Sequence, residues 1–177
     1  RTPLEWKHRH QVRERLVGGR IAFRAAQGSL AFNYLRMDWS GHLVQQLPHY
    51  GYLREAHDLS YLQHFSLDYR MTSLSGQWLS AGEMALSSRG GKAALAYVRY
   101  RDPDRGDYTL SGRYLSPSYM APLGNTPSRF AYPGNEMGCY MAAHLPLLDQ
   151  LDLLLSWDVY RSLVVRKGEE APSRGGL

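Results

Sequence analysis

The chain has 177 residues, 44% hydrophobic and 21% charged, with a net charge of +5. That composition excludes a disordered chain and allows one domain with a real core. A lone cysteine, Cys139, excludes an internal disulfide and reads as a small apolar packing residue, and no window approaches the 18 uninterrupted apolar residues of a membrane-spanning helix. The basic excess would suit nucleic acid or an anionic membrane surface, but the Arg residues are scattered and no dense basic helix appears. A solvated surface is the simpler reading.

Residues 1–12 read as a lead-in, 13–161 as a β-meander, and 162–177 as a loop or tail leading towards a further strand. Helical promise is confined to WKHRHQVRERL near the start and LPLLDQLDLLL near the end. From residue 14 onward the dominant period is two, the mark of strands with one wet face. GGRIAFR sets Ile21 and Phe23 against Arg20, Ala22 and Arg24. LAFNYLRMDW breaks the rule. Placing Arg36 and Asp38 on the wet side leaves Asn33 on the dry side, which predicts a bulge or a shifted register. In YLQHFSLDYRM, Phe65, Leu67, Tyr69 and Met71 alternate with His64, Ser66, Asp68 and Arg70. Trp78, Met84 and Leu86 oppose Gln77 and Glu83. Ala94, Ala96, Val98 and Tyr100 oppose a face ending in Arg99. Tyr108, Leu110 and Tyr114 alternate with Thr109, Ser111 and Arg113. Met137, Cys139 and Met141 oppose Glu136, Gly138 and Tyr140. Leu151, Leu153 and Leu155 alternate with Asp152 and Ser156, and the pattern continues through Trp157, Asp158 and Val159, so this run is a strand and not a helix.

Eight strands are predicted, at 14–24, 29–39, 61–71, 74–86, 92–101, 106–116, 135–145 and 149–160. Sequential antiparallel pairing is the simplest topology. The connections AAQG, TSLS, DPDRG and LPLLD follow the odd strands and are short. Residues 40–60 and 117–134 follow strands two and six and are long, and SSRGG after strand four is intermediate. In a meander, odd and even connections lie at opposite ends, so tight turns gather at one end and long loops at the other. With strands of about ten residues, that is the layout of a transmembrane β-barrel. In lipid the apolar face must point outward and no strand edge can stay unpaired. A soluble β-barrel alternates as well, with its apolar face turned in around a small apolar ligand.

The wet face carries Arg20, Arg24, Asp68, Arg70, Glu83, Arg99, Arg113, Glu136, Asp152 and Asp158. In a narrow barrel these mixed signs would form a self-neutralising lumen network. The loop at 117–134 carries Tyr119, Phe130 and Tyr132, which can pack on the rim, while its four prolines restrict the backbone.

No chemistry-bearing constellation stands out. His8 and His10, and His42, His49, His57 and His64, lack metal-ligand spacing. His57, Asp58 and Ser60 are neighbours without a nucleophile elbow. RGGK at 89–92 lacks Walker spacing and reads as a turn. YVRYRDPDRGDY interleaves Arg with aromatics, as a single-strand nucleic-acid platform would, but reads more simply as two strands and a turn.

One resemblance is carried by RYLSPSYMAPLGN and NEMGCY, through Tyr114, Ser116, Pro117, Tyr119, Pro122, Gly124, Asn125, Asn135, Glu136, Gly138 and Tyr140. These residues resemble the β-barrel region of Bacteroidetes and Chlorobi outer-membrane proteins in which a competence-like helix-hairpin-helix module precedes the barrel. VGGRIAFR, GEMAL around Glu83 and the APSRG of Ala171–Gly175 add to the likeness. No helix-hairpin-helix module is present here, and WDVYRSLVVR stands where the family has an aromatic–Pro–Trp signal. The resemblance implies a non-enzymatic barrel of the bacterial outer membrane, a transport conduit or a structural barrel, with no cofactor. Its partners would be the lipid bilayer, a small solute, and further strands from outside this chain; nucleic acid is not expected. The alternatives are the soluble ligand-binding barrel and an outer-rim hydrolase.

Overall fold

A computed structural model describes residues 13–44, 58–88, 90–121, 128, 134–148, 150–164 and 174–176. These form one antiparallel sheet of nine strands in strict sequence order. The strands are β1 (Glu14–Ala25), β2 (Gly28–Val44), β3 (Asp58–Thr72), β4 (Trp78–Ser87), β5 (Lys92–Asp102), β6 (Gly106–Leu115), β7 (Glu136–Leu148), β8 (Leu151–Ser162) and the short β9 (Arg174–Gly176). The all-β meander read from the sequence is the observed fold. Nothing among the described residues pairs with the outer edge of β1.

Ladder partners point the same way, so the register assigns faces. One face runs from Arg20 to Asn33, Ser66, Ala85, Ala93, Leu115, Glu136 and Ser162. The buried apolar residues Ala31, Met37, Leu62, Ala85 and Leu115 lie on this face, which is the sheltered one. The opposite face carries Phe23, Phe32, Leu67, Trp78, Met84, Leu110, Leu155 and Trp157, all exposed. Ile21 and Phe23 are 78% and 74% exposed. Nothing among the described residues forms a second layer over that face.

The apolar face has its own packing. Tyr69 stands opposite Gly82, and a Cβ on Gly82 would come within 2.8 Å of the tyrosine ring. The missing side chain lets the ring lie flat across β4, with its hydroxyl 3.2 Å from Ser80 Oγ. Trp78, Tyr100 and Tyr108 form an aromatic row beside the tight turns, with centroids 4.7 and 6.3 Å apart.

Short turns join β1–β2, β3–β4, β5–β6 and β7–β8 at one end, and a four-residue connection, 88–91, joins β4–β5 at the other. The β5–β6 turn shows how sequence closes one. Asp102 Oδ1 accepts the N–H groups of Asp104 and Arg105 at 3.0 and 3.1 Å, and Gly106 takes φ +101°, a conformation that suits glycine.

Three details differ from the sequence reading. The β2 ladder is regular through Asp38, and its irregularity falls between Asp38 and Leu43. Asn33 is on the sheltered face, and it is Arg36 and Asp38 that sit on the apolar one. They tolerate it by pairing with each other at 2.7 Å, with Arg36 over the Tyr61 ring. Second, β7 continues to Leu148, absorbing Pro146 through a register shift, so the following turn is tighter than LPLLD. Third, Cys139 is exposed on the apolar face and does not pack in a core, because its odd position shares the face of Met137 and Met141.

Candidate functional site

All ten charged residues singled out from the pattern fall on the sheltered face, since each is linked by the ladder to the Arg20 row or one parallel to it. Six of them take part in arginine–carboxylate ion pairs. Arg20 on β1 reaches across β2 to Asp68 on β3. Its Nη1 donates to Asp68 Oδ2 at 2.6 Å and its Nη2 to Oδ1 at 3.0 Å. Asn33 lies between them, accepting from Arg20 at 2.7 Å and donating to Asp68 at 2.7 Å and Ser66 at 3.0 Å. The planar fork suits a bidentate carboxylate, but Arg20 is half exposed and the pair fixes geometry more than it stabilises.

The second cluster is buried. Arg113 on β6 donates from Nε to Glu136 Oε1 on β7, and from Nη1 and Nη2 to Asp158 on β8 at 2.8 and 3.2 Å. Ser128 donates its hydroxyl to Glu136 Oε2 at 2.9 Å. Arg113 is 8% exposed and Glu136 fully covered. Gly138 stands opposite Arg113, and a Cβ there would lie 2.7 Å from Cζ of the guanidinium. Glycine thus makes the seat in which the charge lies.

The third cluster is at the tight-turn end, where Asp107 accepts from Arg99 at 2.7 Å and Arg101 at 2.9 Å. Two of the three arginines of the YVRYRDPDRGDY segment, Arg99 and Arg101, are therefore committed within the sheet. Asp152 lies 3.4 Å from His144. Arg24, Arg70 and Glu83 share the face and make no ion pair among the described residues.

Residues 116–121, which follow β6, lie over the other end of this face. Ser116 is tied to Lys92 in both directions at 2.8 Å, and the Tyr119 N–H bonds to Ser116 at 3.0 Å. Tyr119 then sets its ring edge-on to His64 of β3, with centroids 6.0 Å apart. Gly91 allows this approach, because a Cβ there would fall 2.6 Å from Tyr119 Cα. Burial pushes the Tyr119 phenol up, and the charge of Glu83 pushes it the same way. Beneath the ring is a cavity of about 380 Å³, bounded by Arg20, Asp68, Glu83, Met37 and Ala121. Phe130 and Tyr132 lie outside the described residues.

Asn135 holds the far end of the same connection. It is 1% exposed, with φ +58°. Its Oδ1 accepts from the N–H groups of Leu163 and Val164 at 3.1 and 2.8 Å, and its Nδ2 donates to the Val164 carbonyl at 3.0 Å. One side chain thus fastens the start of β7 to the end of β8.

No protein-family model, no curated protein and no solved structure matches this chain. Its reading therefore rests on its own residues. Among the described residues, no three His, Cys, Asp or Glu side chains come together as a metal site. His57, first of the His57–Asp58–Ser60 neighbours, lies outside them. The pattern missed Asn33, Asp107, Asn135 and the Tyr119–His64 contact. Only Asp107 carried a local signal, by sharing parity with Arg99 and Arg101.

Proposed function

We propose that the chain is an integral outer-membrane β-barrel protein or a segment of one, non-enzymatic, serving as a transport conduit or structural barrel. In this reading the apolar face meets lipid and the sheltered charged face lines the lumen. One observation carries it. The large apolar side chains share one face of a continuous sheet and are exposed there, while the Arg113–Glu136–Asp158 cluster on the other face is sheltered.

In water that arrangement is costly. Each large apolar side chain left exposed forgoes about 1.5–3 kcal/mol, and soluble monomers rarely expose an apolar patch beyond a few hundred Å². A soluble barrel would cover this face and expose the other. In a bilayer the cost disappears. Val17 to Ala25 on β1 spans about 26 Å at roughly 3.3 Å per residue, or about 20 Å of membrane depth at the usual strand tilt of ~40°. The apolar band also has limits that fit. Arg15, Arg36, Asp38, Gln63, Lys92 and Arg161 interrupt the outward face near the long-connection end, while the row of Trp78, Tyr100 and Tyr108 lies at the other. Aromatic and charged residues favour such interfaces. Hydrocarbon would also require the β1 edge to be paired, by closure on the last strands or by further strands.

The test is electrophoretic mobility and solubility. The purified chain should need detergent and should migrate differently before and after boiling. A freely soluble monomer without detergent overturns the reading.

A further inference from the structure

The cavity under Tyr119 has an imbalance of charge. Its guanidinium, Arg20, is held at both terminal nitrogens by Asp68 and at one of them by Asn33. Glu83 stands directly opposite Asp68 in the β3–β4 ladder and is exposed to the cavity. It has no hydrogen-bond or ion-pair partner among the described residues. The rest of the lining is mixed: Leu35, Met37, Ala85 and Ala121 are apolar, Asn33, Ser66 and His64 are polar, and the Tyr119 ring forms one side.

We propose that this cavity binds a small organic ammonium ion. Glu83 accepts the ammonium N–H groups, and the short apolar body lies against Met37 and Tyr119. The alternatives fit less well. An anion would meet an unpaired carboxylate. A neutral guest would leave that carboxylate desolvated without a partner, at considerable cost. A hard metal cation wants six or more oxygens, and half of this wall is hydrocarbon. An ammonium ion with a short alkyl chain satisfies the carboxylate and the apolar wall together, and an aromatic ring close to a cation adds attraction. A volume of about 380 Å³ is at the small end of ligand pockets, suited to a compact guest.

Met37 is 1% exposed and lines the cavity, so its methyl group reports from inside it. The full chain, refolded in detergent with ¹³C-methyl methionine, would be titrated with n-butylammonium chloride, sodium butyrate and 1-butanol. The Met37 resonance, assigned through Met37→Leu, should shift saturably with n-butylammonium alone. Glu83→Gln should weaken that binding at least tenfold. Ala121→Leu, which fills the cavity from the loop, should abolish it. A response that does not saturate, an equal response to butyrate, or unchanged affinity in both variants would overturn the proposal. If one variant fails to fold, the other and the three-ligand comparison still decide. The readout needs no bilayer and no conductance, so this proposal and the membrane reading fail separately.

Discussion

Gly138 stands directly opposite Arg113 in the β6–β7 ladder, and the guanidinium occupies the space a Gly138 side chain would need. The buried ion cluster of Arg113, Glu136 and Asp158 therefore depends on a residue that carries no charge. Charges this sheltered must keep their partners, because desolvation offsets most of their mutual attraction.

Gly138→Ala should push the guanidinium off its seat and cost about 1–3 kcal/mol by overpacking. Arg113→Met should cost about 3–5 kcal/mol, since it leaves two sheltered carboxylates facing each other. Adding Glu136→Leu to Arg113→Met should restore part of that loss. Denaturant unfolding of the refolded protein checks all three. Wild-type stability in Gly138→Ala would mean the seat is not as tight as the geometry indicates.

Asn135 tests the link between β7 and β8. Asn135→Ala loses three hydrogen bonds and places a Cβ-bearing residue with no local polar compensation at positive φ. A loss of about 2–4 kcal/mol is expected. Asn135→Gly keeps the backbone freedom and should lose roughly 1 kcal/mol less. Equal losses would assign the whole effect to the hydrogen bonds.

Leu155 and Ser156 are neighbours on opposite faces of β8. In a bilayer, Leu155→Arg should cost about 2–4 kcal/mol near the midplane, and Ser156→Arg much less. The fraction of heat-modifiable protein after folding into lipid vesicles reads the difference. Equal tolerance would count against a lipid-facing role for the apolar face.

The parity of the meander predicts sidedness. In the sequence Arg129 falls between β6 and β7 and Arg105 between β5 and β6, connections that follow an even and an odd strand. Trypsin added to intact cells should cut after Arg129 and spare Arg105 until the outer membrane is permeabilised. Cleavage in the reverse order would invert the topology.

Much of this architecture was legible because period two survives wherever one face is sheltered. Leu151 to Val159 is the clearest case, and the charges from Arg20 to Asp158 sorted onto one face for the same reason. Asn33 was misplaced because charges on a strand are normally read as marking its wet side. Arg36 and Asp38 defeat that reading by pairing with each other at the margin of the apolar face. The depth of Arg113 was not legible, since it depends on a glycine on the next strand, 25 residues along. Nor was the Tyr119–His64 contact, which joins a loop to a strand 55 residues earlier and has no local pattern. Cys139 shows the opposite error. Its residue type suggested burial, whereas its parity with Met137 and Met141 already gave the face.

The Arg36–Asp38 pair has a mechanical consequence. Charged and polar residues interrupt the outward face at one margin, on β1, β2, β3, β5 and β8, whereas the other margin carries Trp78, Tyr100 and Tyr108 on β4 to β6, mainly apolar residues on the remaining strands, and Asp102 as its one charged residue among those described. In a bilayer the sheet would then sit in an asymmetric well. Sliding one way draws Arg15, Arg36, Lys92 and Arg161 into hydrocarbon, at up to about 2–4 kcal/mol for each that reaches the midplane. Sliding the other way mostly shifts the rings of Trp78, Tyr100 and Tyr108 along an interface they already favour, with Asp102 the one charge carried inward. The protein would carry a depth stop on one side and a soft buffer on the other, so a thinning membrane would be met by movement in one direction only.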